Sequence, residues 1–254
     1  MNFGIVLTVR LQSKRLKNKA LFSLNKQTMI EQIINRLKAT SLSKNIVLST
    51  SNNKENLILK KICKRTGINF FSGNEKDLMK RIYETARKYK FKNIICCTGD
   101  NPFIDFELIE TIRNLQKKKF DFIKTEGLPW GSFCYMVNTK ALKRAINIKN
   151  SNDTEVWFDY ILKNSTFENY IMQTKDKLKN FPQLRLTVDY KQDYILSKIL
   201  YILLQKKNEV FNLKDVIKLY KKYQKIFFIN RNIKQKKHKE IKVKKKYKYQ
   251  YQTV

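Results

Sequence analysis

Ile5-Val6-Leu7-Thr8-Val9-Arg10-Leu11-Gln12-Ser13-Lys14-Arg15-Leu16-Lys17-Asn18-Lys19 opens on an apolar run of β-type residues and turns into a cationic segment. A buried strand emptying into such a loop can present positive charge and backbone N–H groups to a polyphosphate. Taken alone, the loop reads as readily as a solvated charged surface. The residues at the ends of the later strands decide between the two.

Beyond this stretch, strand and helix patterns alternate. A strand over 3–9 is succeeded by a helix over 29–37 and a buried strand over 45–50. The spacing next predicts a helix over 54–63, with Leu57, Ile58, Leu59 and Ile62 inward. A strand over 68–71, a helix over 77–89 and an apolar strand over 91–97 complete the first half. Near-uniformly apolar strands separated by helices argue for βαβ units and a mostly parallel sheet covered on both faces. In such sheets ligands bind beyond the carboxyl ends of the strands. There stand the basic loop, the polar turn Ser49-Thr50-Ser51-Asn52-Asn53, and Thr98-Gly99-Asp100-Asn101-Pro102-Phe103-Ile104-Asp105. Asp100, after a glycine at the tip of a buried strand, suits a divalent cation. Asp105, ahead of an apolar-periodic run, suits a helix cap.

The second half is less regular. Strands are expected over 121–124 and 133–137, and a helix over 140–148. Ser151 to Trp157 reads as a helix start capped by Asp153 or Thr154. Arg185-Leu186-Thr187-Val188-Asp189 reads as a short strand ending in an aspartate, with helices over 194–204 and 212–223 after it. With no repeat and no Gly/Ser linker, one α/β domain over 1–230 and a basic, flexible tail over 231–254 is the economical division.

Composition narrows the chemistry. Of 254 residues, 42% are hydrophobic, enough for a sizeable core. No apolar run is long enough to span a bilayer, and no signal-peptide pattern stands at the start, so a cytoplasmic protein is expected. Cys63, Cys96, Cys97 and Cys134 lack zinc-site spacing and read as buried apolar residues. The only histidine, His238, lies in the lysine-rich tail, which argues against imidazole-based catalysis and leaves Asp, Glu, Lys, Arg and a hard metal ion. The net charge of +33 invites a nucleic-acid reading. However, lysine is abundant throughout, and ten of the basic residues fall in positions 231–254. Nucleic acid is therefore not the expected partner.

No G-x-G-x-x-G and no G-x-x-x-x-G-K-[ST] occurs, so phosphate binding falls to side chains, with Arg10, Arg15 and Lys19 the candidates. Lys14 and Lys17 are expected to be solvated. At this point a family is visible. Val9-Arg10 through Ser13, Arg15-Leu16 and Lys19 resembles the opening signature of the sugar cytidylyltransferases of the acylneuraminate, 3-deoxy-manno-octulosonate and spore-coat-polysaccharide type. Thr98-Gly99-Asp100-x-Pro102-x-Ile104 resembles their second signature, and Arg185 to Asp189 with Asp193 a late one. Ser72-Gly73 to Asp77, with Arg81, resembles the spore-coat branch. The resemblance spans residues 3–235.

It implies a three-layer αβα, Rossmann-like fold of the nucleotide-diphospho-sugar transferase kind, with a mixed, mostly parallel sheet. It implies transfer of CMP from CTP to a sugar acid or sugar phosphate, releasing pyrophosphate, with Mg²⁺ as cofactor. By the same resemblance Asp100 and Asp189 hold the metal. Arg10, Ser13, Arg15, Lys19 and Gly99 bind the nucleotide, and Arg10, Lys19 and Asp100 carry the catalysis. Tyr135 and Glu155 become candidates for acceptor binding, and a homodimer is compatible with relatives that are often dimeric. Leu11-Gln12 and Lys17-Asn18 depart from the family's small residues and Pro-Gly, and Gly131-Ser132-Phe133-Cys134-Tyr135 replaces an acidic pattern of the spore-coat branch. Transfer from another nucleoside triphosphate stays open, since no residue identifies the base. So does a non-catalytic basic protein binding nucleic acid or an anionic surface. A glycosyltransferase would carry Asp-x-Asp, for which there is no convincing candidate.

Overall fold

Successive residues of a strand face opposite sides of its sheet. In the first strand both sides are buried: Ile5 and Leu7 pack into one core cluster and Val6 into another. That requires helices on both faces. The computed structural model describes residues 2–174, 176–206 and 209–235 and shows this arrangement.

The elements in chain order are β1 (Phe3–Thr8), the short hairpin β2 (Ser23–Leu24) and β3 (Gln27–Thr28), α1 (Met29–Lys38), β4 (Ile46–Ser51), α2 (Leu57–Thr66) and β5 (Asn69–Gly73). Then come α3 (Leu78–Lys88), β6 (Asn93–Thr98), α4 (Phe106–Leu115), β7 (Phe122–Glu126), β8 (Tyr135–Asn138), α5 (Thr139–Ile148) and α6 (Asp159–Leu162). β9 (Asn169–Gln173), α7 (Lys191–Leu204), α8 (Leu213–Lys222) and a 3-10 segment (Gln224–Asn230) follow among the described residues. The main sheet has seven strands in the order β5-β4-β1-β6-β8-β7-β9. β8 runs antiparallel to both β6 and β7, and the other pairings are parallel. Core residues of α1, α2, α4, α7 and α8 belong to one cluster, and those of α3, α5 and α6 to the other. This is the expected three-layer α/β fold with a mixed sheet.

The topology locates a crevice. β1 lies between β4 and β6, with Thr8 in register with both Ser49 and Thr98. The chain leaves β1 toward β4 and later crosses back to β6, so the loops after β1 and β6 part at a topological switch point.

Several expectations change. In α2 only Leu59, Ile62 and Cys63 are buried, whereas Leu57 and Ile58 are exposed. At 100° per residue the i, i+3, i+4 stripe of 59, 62 and 63 turns 57 and 58 away from the sheet. No helix begins at Ser151. Thr154 is buried instead, and its hydroxyl accepts from Met79 N and donates to Asp77 Oδ1, capping α3 from outside. Asp77 is the α3 N-cap itself. Arg185 to Asp189 forms no named strand and, among the described residues, makes one bridge, Trp130 with Arg185. Strand β9, which no sequence pattern announces, pairs with β7. Asp105 caps α4 as expected, accepting from Glu107 N, and also meets buried Lys179 at 2.7 Å. All four cysteines are buried and free. His238 and residues 236–254 of the basic tail lie outside the described residues.

α1 begins with a reciprocal cap. Glu31 N donates to Thr28 Oγ1, and Thr28 N donates to Glu31 Oε2. Burial pushes the Glu31 carboxyl up, but the Thr28 bonds and Arg65 outweigh it and hold it below the usual value. Thr28→Ala is expected to cost about 1 kcal/mol at pH 7 in urea denaturation. A carboxyl depressed in the folded state stabilises above its unfolded value, and that gain is lost as pH falls through the folded one. The gap between wild type and variant is therefore expected to narrow below about pH 4.

Candidate functional site

The loop after β1 is shaped by its own residues. Leu11 turns into the core, and its N–H donates to Asn56 Oδ1 at 3.1 Å. Asn18 N returns to Leu11 O, with Asn18 left-handed at φ 57°. Asparagine is among the few non-glycine residues that visit this region readily. Leu11 and Asn18, the departures from the family pattern, thus close the loop by burial and by backbone tolerance. The closure hands the chain to a 3-10 turn, Lys19–Leu21, in which Lys19 is buried.

Lys19 is where the site converges. Its Nζ donates to Val188 O at 2.6 Å, Asp189 Oδ1 at 3.0 Å and Asp100 Oδ2 at 3.2 Å. Arg15 Nη2 donates to the same Asp189 oxygen at 2.6 Å, and its guanidinium lies 5.6 Å from the Tyr190 ring centroid. Asp100 lies two residues after β6, and its carbonyl accepts from Val188 N and Thr187 Oγ1. That stitching brings the segment 185–189 against the β6 loop. Lys19, Arg15, Asp100 and Asp189, from three distant parts of the sequence, therefore meet at the crevice beyond β1 and β6.

The other candidates go elsewhere. Arg10 is exposed and pairs with Glu155 at 3.2 Å. It also faces Arg81. Burial, and secondarily the charge of Arg10, pushes the Arg81 guanidinium down to about 10. Arg81 Nη1 donates to Asn74 O at 2.7 Å, and its buried Nε has no hydrogen-bond partner among the described residues. Ser13 forms a local turn, its hydroxyl accepting from Leu16 N. Gly99 is explained by packing: a Cβ there would stand 2.7 Å from Val9 Cβ. Tyr135 sits among Phe122, Phe133 and Phe158, with ring centroids 5.8, 5.6 and 5.3 Å away, and burial pushes its hydroxyl well up. Lys14 and Lys17 are exposed.

Three residues that matter carry no role that sequence assigns: Arg185, Asp193 and Asn230. Arg185 Nη2 donates to Asp189 Oδ2 at 3.1 Å. Its guanidinium would be pushed down by burial, but Asp193 and Asp189 outweigh that and raise it. Arg185 and Asp193 stand inside a recognisable signature. Asn230 carries no periodic or motif signal.

Can these residues hold a divalent cation? Two carboxylate oxygens lie within about hydrogen-bond reach of one ammonium nitrogen, so they converge on a single point of positive charge. Among the described residues no group of three or more His, Cys, Asp or Glu side chains gathers as a metal cage. The pair fits a hard ion that takes its remaining oxygens from phosphate and water, as Mg²⁺ does. Asp100 is the more open of the two, its side chain 32% exposed against 5% for Asp189.

Known proteins are similar to this chain in sequence and fold. A family model described as cytidylyltransferase matches residues 4–253. An uncharacterized protein of Methanocaldococcus jannaschii is 32% identical over 240 residues, covering 92% of this chain and 97% of that protein. The spore coat polysaccharide biosynthesis protein SpsF of Bacillus subtilis is 28% identical over 205 residues, covering 77% and 85%. Among solved structures, a cytidylyltransferase from Leptospira borgpetersenii superposes with TM-score 0.83 at 22% identity, covering 93% of this chain and 100% of that one. CMP:2-keto-3-deoxy-manno-octonic acid synthetase, complexed with CTP, superposes with TM-score 0.60 at 12% identity, covering 80% and 99%. Among the described residues no helix is long and apolar enough to cross a membrane.

Proposed function

The chain belongs to the cytidylyltransferase family, and from that footing we propose that it transfers CMP from CTP to a sugar acid or sugar phosphate, releasing pyrophosphate, for surface-polysaccharide or glycoconjugate synthesis. One observation carries the proposal: Lys19 and Arg15 meet Asp100 and Asp189 at the switch point between β1 and β6. Cations for a triphosphate and oxygens for a metal ion stand side by side there.

The chemistry comes from that pairing. An acceptor oxygen attacks the α-phosphorus in line with the departing pyrophosphate. The new P–O bond forms as the bond to the bridging oxygen breaks, and negative charge grows on the leaving group. Lys19 and Arg15 are preorganised cations for that charge. Their present partners are carboxylates and a carbonyl, contacts that phosphate oxygens would replace. Asp100 and Asp189 would hold Mg²⁺, which when bound neutralises phosphate charge and helps the acceptor hydroxyl lose its proton. Neither role needs histidine. Arg10, paired with exposed Glu155, can exchange that partner for phosphate. Phe133 and Tyr135 place aromatic rings where the spore-coat pattern has carboxylates, so the acceptor is proposed to differ from that branch's.

The full chain with Mg²⁺ should be melted against CTP, UTP, GTP and ATP. CTP at a hundredfold excess over its dissociation constant is expected to add about 2.7 kcal/mol. That corresponds to a rise of about 5–10 °C in the midpoint. A panel of sugar acids and sugar phosphates is then scored by pyrophosphate release. Preference for another triphosphate would replace the base, and a flat response to all four, with no release, would overturn the reading.

A further inference from the structure

Asp193 has a fully buried side chain, and its two oxygens take five hydrogen bonds. Oδ1 accepts from Arg185 Nε at 2.9 Å and from Asn230 Nδ2 at 2.8 Å. Oδ2 accepts from Arg185 Nη2 at 3.1 Å and from the backbone N–H groups of Asp189 and Tyr190, both at 3.0 Å. A carboxylate offers about four lone-pair directions, so this one is saturated. The Tyr190 amide is the N-cap amide of α7, and Asp193 is the third helical residue, which explains one bond as an ordinary cap. It does not explain the others.

They run in one direction. Asn230 Nδ2 also donates to Arg185 O at 3.1 Å, and Gln235 Oε1 accepts from Arg185 Nη1. Arg185 in turn holds Asp189 Oδ2, the carboxylate oxygen that Arg15 and Lys19 leave free. Tyr190, held by Asp193, carries the ring against which Arg15 lies. The 3-10 segment ending in Asn230 packs along α7, so Asn230 arrives buried, at 4% exposure.

From this geometry we infer that Asn230 and Gln235, where the basic tail was expected to begin, are positioning residues of the active site. They lock Arg185 and Asp193, which orient Asp189 for the metal and Arg15 for the triphosphate. Asp189 is held by cations on both oxygens, and the one on Oδ2, Arg185, is held in turn by Asn230 and Gln235. The inference rests on the proposed role of Asp189 and adds the supporting residues to it. Partners of metal-binding carboxylates commonly matter by about 10–100-fold in affinity or activity.

The test uses full-length Asn230→Ala and, as a milder variant, Gln235→Ala. Mn²⁺ binding in the presence of CTP is read by electron paramagnetic resonance, alongside kcat, the acceptor KM and the thermal midpoint. For Asn230→Ala the Mn²⁺ dissociation constant is expected to rise about tenfold and kcat to fall comparably, with the acceptor KM unchanged. For Gln235→Ala, which loses one bond, a change of about threefold is expected. Wild-type Mn²⁺ affinity and kcat in both variants, whatever their melting midpoints, would overturn the inference and leave the contacts a purely structural role. Failure of the wild type to bind Mn²⁺ with CTP would instead overturn the proposed function, and this inference with it.

Discussion

Asp189→Asn is expected to lower the proposed CMP transfer by about a hundred- to a thousandfold, the loss typical of removing one preorganised electrostatic group. The substitution keeps the shape and removes the charge. Asp189 Oδ1 accepts from Arg15 and Lys19, and Oδ2 from Arg185. An amide at this position offers one acceptor oxygen and turns two donors toward cations. The proposed Mg²⁺ would lose one of the two carboxylates assigned to it, and Lys19, buried at 7% exposure, would keep only Asp100 and Val188 O. Stability is expected to fall less than activity. Removing one partner of a buried pair costs about 3–5 kcal/mol when the other is left alone, but Lys19 keeps Asp100 and Arg185 keeps Asp193. A loss of about 2 kcal/mol in urea denaturation is therefore expected. The measurement is pyrophosphate release at saturating CTP from protein shown to be folded by circular dichroism. Turnover within tenfold of wild type would remove Asp189 from the site.

The second large effect lies in the core. Arg36, on α1, is 1% exposed. Its Nε donates to Ile104 O and its Nη1 to Phe211 O, both at 2.9 Å, while Nη2 has no hydrogen-bond partner among the described residues. The guanidinium lies 4.9 Å from the Phe211 ring centroid, and burial pushes its ionisation down. The side chain thus ties the loop after β6 to the segment ahead of α8. Arg36→Ala leaves two buried carbonyls without donors, at about 1–3 kcal/mol each, and opens a cavity costing about 2–5 kcal/mol. Relief of the buried, incompletely paired charge offsets part of this. A net loss of about 4 kcal/mol is expected in urea denaturation. Arg36→Met fills most of the volume and buries no charge, so it is expected to lose about half as much. Equal losses in the two variants would show that the carbonyl bonds, not packing, set the cost.

Much of the site is legible in sequence because its parts sit where local rules put them. Lys19 and Asp100 come after strands recognisable from their apolar runs, and Asp189 ends a stretch of β-type residues. Their residue types restrict the chemistry to cations and carboxylates. Arg10 shows where that reading stops. It lies nine residues before Lys19 in the same basic loop, yet it points to Glu155 while Lys19 turns inward. The turn closed by buried Leu11 and left-handed Asn18 separates them. Tyr135 shows the same limit. Its place in a strand is readable from the apolar run around it. Its packing among Phe122, Phe133 and Phe158 depends on how β8 pairs with β7 and on the segment before α6.

Local pattern suffices for the alternation of strands and helices, the mostly parallel sheet and the charged residues at the strand ends. Those features come from side-chain periodicity and backbone preference, which act over a few neighbours. Which charges meet is a matter of how the elements pack. Lys19 reaches Asp189 across 170 positions, and Asn230 reaches Asp193 across 37. Such pairings depend on strand order and on how the 185–189 segment is stitched to the β6 loop, and no local pattern encodes them. The loop that opened as an undecided run of positive charge is thereby divided: Lys19 and Arg15 are bound into the carboxylate cluster, Arg10 stands apart with Glu155, and Lys14 and Lys17 face water.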